Sequence, residues 1–215
     1  MRYELVIFDL DGTILNTLED LGDALNHALA ASGFPTRTMQ EVRQFIGNGI
    51  RNLIRRGAPE GTEDAVIDRL HRDFTAYYNV HCADKTRPYG GILPVLAALR
   101  EAGIRTAVVS NKPNEAVQVL CAKYFPGLFD MAVGERTGIR RKPAPDSVFA
   151  VLEELEIVKE NAVYIGDSEV DIQTACNAGM DCISVDWGFR DDNCLRQAGA
   201  ACIVAAPEQL LSQLQ

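Results

Sequence analysis

Short runs of consecutive apolar residues recur along the chain, and stretches with helical periodicity separate them. Unbroken apolar runs are typical of parallel strands that are covered on both faces. In one helical stretch Ile92, Val95 and Leu99 lie near one face, and Gly103 is a suitable C-terminal stop. This alternation predicts an α/β fold with a doubly wound parallel sheet. The predicted strands are LVIFDL, TAVVS, MAVGE, AVYIGD and CISVDW.

One long segment, from about residue 15 to about residue 85, interrupts this alternation. Its leucines recur at helical spacing, and Thr17 with Asp20 resembles an N-terminal capping pair. A segment of this length is too long for a simple crossover between two strands. We therefore predict a helical domain at 15–85, inserted into a core formed by residues 1–14 and 86–215.

Composition and charge narrow the class of protein. The chain has 215 residues, of which 47% are hydrophobic and 24% charged, which is enough to build a substantial core. The formal net charge of −9 disfavours binding to nucleic acid or to a membrane surface, because phosphate groups attract basic faces. No apolar run is long enough to span a membrane. We expect a cytoplasmic protein that is a monomer or a homodimer.

Polar side chains follow four of the predicted strands, at the carboxyl ends where open α/β sheets bind ligands. The first strand delivers Asp9, Asp11 and Thr13, the second Ser110 and Asn111, the segment after the third Lys142, and the fourth Asp167, Ser168 and Asp171. Carboxylates, hydroxyls and an ammonium from separate segments are thus directed to one edge of the sheet.

This set of side chains has a physical logic. Asp9, Asp11 and Asp167 would repel one another at short distance, and a hard divalent cation such as Mg²⁺ removes that repulsion. Lys142 and Ser110 could bind a phosphate group, which makes a small phosphate-bearing molecule the expected substrate. One carboxylate could then act as a nucleophile while a second moves protons.

The segments DLDGT, VVSNK, RKPAP and GDSEVD resemble, in the right order, the four motifs of the haloacid dehalogenase-like superfamily. The inserted segment stands where that superfamily has its helical C1 cap. The resemblance implies that Asp9 is the nucleophile and a Mg²⁺ ligand. Asp11 would be the general acid and base and would offer its backbone carbonyl to the metal. An acid at this second position favours phosphoryl transfer over cleavage of a carbon–halogen bond.

The resemblance also implies roles for the other strand-end residues. Thr13 would help to position the first motif, while Ser110, Asn111 and Lys142 would surround the transferred phosphoryl group. Asp167 would complete the metal ligands. Ser168 and Asp171 would support the metal site or Lys142, although Asp171 could also cap the following helix.

The segment GNG of the predicted cap, together with SNK of the second motif, is similar to the phosphoglycolate phosphatase-type branch. Gly49 permits a tight turn close to a ligand, and Arg51 or Arg55 could bind a substrate carboxylate by a bidentate pair. A solvated basic helix face is the alternative for both arginines. The related branches leave open a β-phosphoglucomutase-like phosphotransferase or a pyrophosphatase. The alternative outside the enzymes is a regulator that binds a ligand and has no catalytic activity.

Overall fold

The computed structural model describes residues 2–47 and 49–215, and the chain divides into two compact units. One unit comprises Met1–Leu15 with Pro88–Gln215, and the other comprises Asn16–Arg87. Asn48, which belongs to the glycine-flanked turn discussed above, lies outside the described residues.

The first unit is built around one parallel sheet. Within the described ranges, six strands form this sheet in the order β5-β4-β1-β6-β7-β8. The strands of the chain are β1 (Leu5–Phe8), β2 (Leu15–Asn16), β3 (Arg87–Pro88), β4 (Arg105–Pro113), β5 (Met131–Glu135), β6 (Ala162–Gly166), β7 (Asp181–Val185) and β8 (Ile203–Val204). Each of the five predicted runs forms a strand of the sheet, and the predicted α/β class is confirmed.

Helices follow most of these strands. The first unit contains α5 (Ile92–Glu101), α6 (Asn114–Tyr124), α7 (Asp146–Glu154), α8 (Glu169–Ala178), α9 (Asp192–Gln197) and α10 (Gln209–Gln213), with a 3₁₀ turn at Lys159–Asn161. The second unit contains α1 (Leu18–Ala31), α2 (Met39–Phe45), α3 (Ile50–Gly57) and α4 (Asp64–His81). None of the helices in the described ranges combines the length and the apolar composition that crossing a membrane requires.

The central strand β1 is buried along its whole length, which explains its unbroken apolar sequence. Leu5 and Ile7 belong to a buried cluster that also contains Val109, Val148 and Tyr164. Burying one large apolar side chain contributes roughly 1.5–3 kcal/mol. This cluster therefore holds β1 firmly, and with it the residues that follow the strand.

The start of α1 differs from the prediction. The Thr17 hydroxyl is buried and has no hydrogen-bond partner among the described residues, so the predicted capping pair is wrong. The carboxylate of Asp20 instead accepts hydrogen bonds from the backbone N–H groups of Lys85, at 2.9 Å, and Thr86, at 2.8 Å. The tertiary contact satisfies two donors of the segment after α4, and it replaces the local cap.

Candidate active site

Three neighbouring strands bring the predicted site residues to one edge of the sheet. Phe8, the last residue of β1, is in register with Val108 of β4 and with Ile165 of β6. Asp9 therefore follows β1 at the level where β4 reaches Ser110 and where β6 ends before Asp167. The parallel register explains why residues far apart in sequence converge here.

Three buried carboxylates lie together at this edge. One oxygen from each of Asp9, Asp167 and Asp171 lies within 4.8 Å of the others, a grouping that could hold a metal ion. Burial raises the pKa of Asp9 from 3.8 to about 7, with Lys142 opposing the shift and Asp171 adding to it. Burial, with Asp171 and Asp9, also raises the pKa of Asp167 well above its usual value. Without a cation, this edge favours binding of protons.

Lys142 lies between two of these acids. Its Nζ is 2.8 Å from Asp9 Oδ1 and 2.8 Å from Asp171 Oδ1, and it donates to Tyr164 Oη at 3.0 Å. Burial alone would lower the pKa of Lys142, but the carboxylates of Asp171 and Asp9 outweigh it and hold that pKa well above its usual value. The ammonium is therefore charged and placed beside Asp9.

Asp171 uses both of its oxygens within the protein. Its Oδ1 pairs with Lys142, and its Oδ2 accepts from the backbone N–H of Ser168 at 3.1 Å and from the Ser168 hydroxyl at 2.6 Å. The residue thus caps α8 and holds Lys142 at once. Asp171 therefore supports the position of Lys142, and metal binding by Asp9 and Asp167 remains a prediction.

Asp167 is held by a different set of contacts. Its Oδ2 accepts from the backbone N–H of Phe189 at 2.7 Å, and its Oδ1 accepts from the Thr13 hydroxyl at 3.3 Å. Trp187 fixes the same loop, since its Nε1–H donates to the Thr13 carbonyl at 3.0 Å. The sequence offered no signal for this role, because Trp187 lies outside the four motifs.

Two glycines make room for the carboxylates. A Cβ built on Gly166 would overlap the side chain of Asp171. A Cβ built on Gly188 would overlap Oδ2 of Asp167 and the backbone carbonyl of Gly12. The backbone can therefore approach these acids only where a side chain is missing.

Asp11 stands apart from the three clustered acids and has its own cationic partner. Lys112 Nζ lies 2.7 Å from Asp11 Oδ1 and 3.1 Å from Oδ2. Lys112 is the last residue of the second motif, VVSNK. The contact spans 101 positions of sequence, so it could not be read from local spacing.

Ser110 and Asn111 end up in different surroundings. The Ser110 hydroxyl is buried and accepts from the backbone N–H of Lys112 at 3.3 Å. The amide of Asn111 donates to the Lys142 carbonyl at 3.0 Å and accepts from the Lys142 N–H at 2.8 Å. The Asn111 side chain thus fixes the loop that carries Lys142, and phosphate binding by Asn111 remains a prediction.

The second unit holds the predicted cap residues. Gly49 precedes α3 with a φ of 84°, a conformation that favours glycine. The Arg51 guanidinium lies 2.9 Å from Asp68 and 3.4 Å from Asp64, and Arg55 also pairs with Asp64. These ion pairs favour the alternative interpretation of the basic helix face, and substrate binding by Arg51 stays a prediction.

A parallel sheet with buried acids and a buried lysine at the carboxyl end of its central strand places the protein among α/β enzymes that bind anionic substrates there. Residues 6–185 match the family described as haloacid dehalogenase-like hydrolase. The chain therefore belongs to this family, and the resemblance inferred from the four motifs is confirmed.

Individual relatives narrow the comparison. The chain is 34% identical over 195 residues to the phosphoglycolate phosphatase of Mesorhizobium japonicum, covering 89% of this chain and 86% of the relative. It is 30% identical to the N-acetylmuramic acid 6-phosphate phosphatase of Pseudomonas aeruginosa, covering 100% and 96%. A crystal structure from Lactobacillus delbrueckii subsp. bulgaricus, provisionally assigned as a phosphoglycolate phosphatase, matches with a TM-score of 0.95 and 42% identity over 100% and 99% of the two chains.

Proposed function

We propose that this chain is a Mg²⁺-dependent phosphatase that acts on a small organic phosphomonoester, with phosphoglycolate as the leading substrate. It is a phosphatase of the haloacid dehalogenase-like hydrolase family, and its curated relatives include several phosphoglycolate phosphatases. The observation that carries this proposal is the position of Asp9, which directly follows the central strand β1 and lies 2.8 Å from the Lys142 ammonium.

The proposed reaction has two steps at Asp9. In the first, a carboxylate oxygen of Asp9 bonds to phosphorus, the bond to the leaving oxygen breaks, and Asp11 gives that oxygen a proton. In the second, water attacks the phosphorus of phospho-Asp9 and Asp11 takes the proton, which restores the Asp9 carboxylate and releases phosphate. Lys142 and Ser110 would bind the phosphoryl oxygens in both steps.

The donor set fits Mg²⁺. Asp9 Oδ1 is buried and accepts no well-aligned hydrogen bond from the described residues, and a second acid, Asp167, lies nearby. Asp9, Asp167 and the Asp11 backbone carbonyl would hold the ion, which supplies positive charge opposite the phosphate. The raised pKa values of the two acids match a site completed by a cation.

The choice of substrate rests on the relatives and on the second unit. Phosphoglycolate and N-acetylmuramic acid 6-phosphate, which two relatives are named for, both carry a carboxylate besides the phosphate. Arg51 or Arg55 of α3 could bind such a carboxylate after exchanging an acid of α4. A cytoplasmic location and a monomeric or homodimeric state remain predictions from the sequence.

The test measures phosphate release from phosphoglycolate and from N-acetylmuramic acid 6-phosphate, each with Mg²⁺ and with chelator. We expect Mg²⁺-dependent release with the higher kcat/KM for phosphoglycolate, loss of nearly all turnover in Asp9→Asn, and retention in Asp73→Asn on α4. Substantial turnover by Asp9→Asn would refute the assignment of Asp9 as the nucleophile. Conversion of β-glucose 1-phosphate without phosphate release would indicate the mutase, and ligand binding without turnover would indicate the regulator.

A further inference from the structure

Each aspartate of the first motif has its own buried lysine. Lys142 pairs with Asp9, while Lys112 pairs with Asp11 through a contact to each carboxylate oxygen. The Lys112 side chain is 2% exposed and that of Asp11 is 17% exposed. Burying an ammonium is unfavourable unless a good partner compensates for the lost hydration. The Asp11 carboxylate therefore helps to compensate the buried charge of Lys112.

The two contacts are unequal. Lys112 Nζ lies 2.7 Å from Asp11 Oδ1 but 3.1 Å from Oδ2. The shorter contact fixes Oδ1, and Oδ2 is the oxygen that is less tightly held. A carboxyl group that is fixed at one oxygen can exchange a proton at the other without losing its orientation.

Lys112 also contacts another residue of the second motif. Its backbone N–H donates to the Ser110 hydroxyl at 3.3 Å. Ser110 is the residue proposed to bind the phosphoryl group. The end of β4 therefore carries both this hydroxyl and Lys112, which pairs with Asp11. Lys112 therefore links Asp11 to Ser110, and proton transfer to a leaving oxygen depends on such relative placement.

We propose that Lys112 is a positioning residue for proton transfer by Asp11, an inference that rests on the proposed phosphatase function. With Oδ1 held by Lys112, Oδ2–H of Asp11 gives its proton to the leaving oxygen as the bond from phosphorus to that oxygen breaks and the bond to Asp9 forms. The same Oδ2 later takes a proton from the attacking water. Lys112 itself stays outside the exchange of bonds.

The test uses phenyl phosphates that differ only in ring substituents and therefore in the pKa of the leaving phenol. For each, kcat/KM reports the steps up to cleavage of the phosphorus–oxygen bond. Departure of a phenol with a high pKa depends on the proton from Asp11. A nitrophenol has a low pKa and leaves readily without that proton. We expect Lys112→Met to make the dependence of kcat/KM on leaving-group pKa steeper, with phenyl phosphate losing about tenfold more than nitrophenyl phosphate.

Two variants accompany this measurement. Lys123→Met makes the same replacement at an exposed position in the last turn of α6 and is expected to leave the slope unchanged. Lys112→Gln replaces the ammonium with a neutral amide that can still donate a hydrogen bond. It is expected to steepen the slope less than Lys112→Met does, and it provides the test if the methionine variant does not fold. Thermal unfolding of each variant checks that the fold is intact.

The possible outcomes separate the interpretations. A uniform fall in kcat/KM across the series, with the slope unchanged, means that Lys112 binds phosphate or only supports the fold, and it overturns the proposal. Unchanged kinetics in both Lys112 variants also overturn it. A wild-type chain without phosphatase activity instead refutes the proposed function, and the inference falls with it.

Discussion

Asp9→Asn keeps the shape of the side chain but removes a charge that the metal-free fold disfavours. Burial raises the pKa of Asp9 from 3.8 to about 7 even though Lys142 opposes the shift. The folded chain therefore binds this proton more tightly than the unfolded chain does. The stabilisation that comes from the proton on Asp9 is fully present below about pH 4 and is lost as the pH rises through about 7.

The magnitude follows from the two pKa values. One pKa unit corresponds to about 1.4 kcal/mol, so a rise from 3.8 to about 7 amounts to on the order of 4 kcal/mol at pH 8. Asparagine does not carry this penalty, although it deprives Lys142 of one carboxylate and leaves Asp171 as the partner at 2.8 Å. The value is thus an upper bound. For a chain of this size, each kcal/mol shifts Tm by roughly 2–4 °C.

The assay is urea unfolding of both proteins in chelator at pH 5 and pH 8. We expect Asp9→Asn to be more stable than the wild type by at most about 2 kcal/mol at pH 5 and by at most about 4 kcal/mol at pH 8. Added Mg²⁺ should stabilise the wild type much more than the variant. Asp73→Asn, a partly exposed acid on α4, is the control and should show no such pH dependence. A variant that is less stable at both pH values would refute the reasoning.

Three further outcomes follow from the site. Tyr164→Phe removes a buried hydroxyl that contacts Lys142, and it should lower the unfolding free energy by about 1–3 kcal/mol and reduce kcat. Gly188→Ala places a Cβ against Asp167 and should weaken Mg²⁺ binding by roughly tenfold or more in titration calorimetry. Gly90→Ala meets open space and should leave Mg²⁺ binding unchanged. Mg²⁺ binding should release protons at pH 6 and fewer at pH 8, measured by calorimetry in buffers of different ionisation enthalpy.

The sequence predicts the positions of those site residues that lie at the carboxyl ends of the strands. Parallel strands leave their carboxyl ends at one edge, so Asp9, Ser110 and Asp167 could be placed together from the apolar runs alone. Those runs are long enough to be recognised because their strands are buried on both faces. Strand β8 was not predicted, since two residues carry no periodicity.

The rest depends on contacts between distant segments. Trp187 reaches Thr13 across 174 positions, and Lys112 reaches Asp11 across 101. Asp20 shows how such contacts override local patterns, because its carboxylate accepts hydrogen bonds from the segment after α4 instead of capping the start of α1. Local spacing carries no information about these partners, so only the folded chain reveals them.

The charges at this edge also explain why a divalent cation suits it. Among the described residues of the site, two ammoniums face four carboxylates, which leaves two negative charges to be compensated. These groups are Lys112, Lys142, Asp9, Asp11, Asp167 and Asp171. In the metal-free chain, the raised pKa values of Asp9 and Asp167 favour the binding of protons by these acids. One Mg²⁺ would supply the charge of two protons and leave Asp9 ionised, which is the form that the proposed mechanism requires.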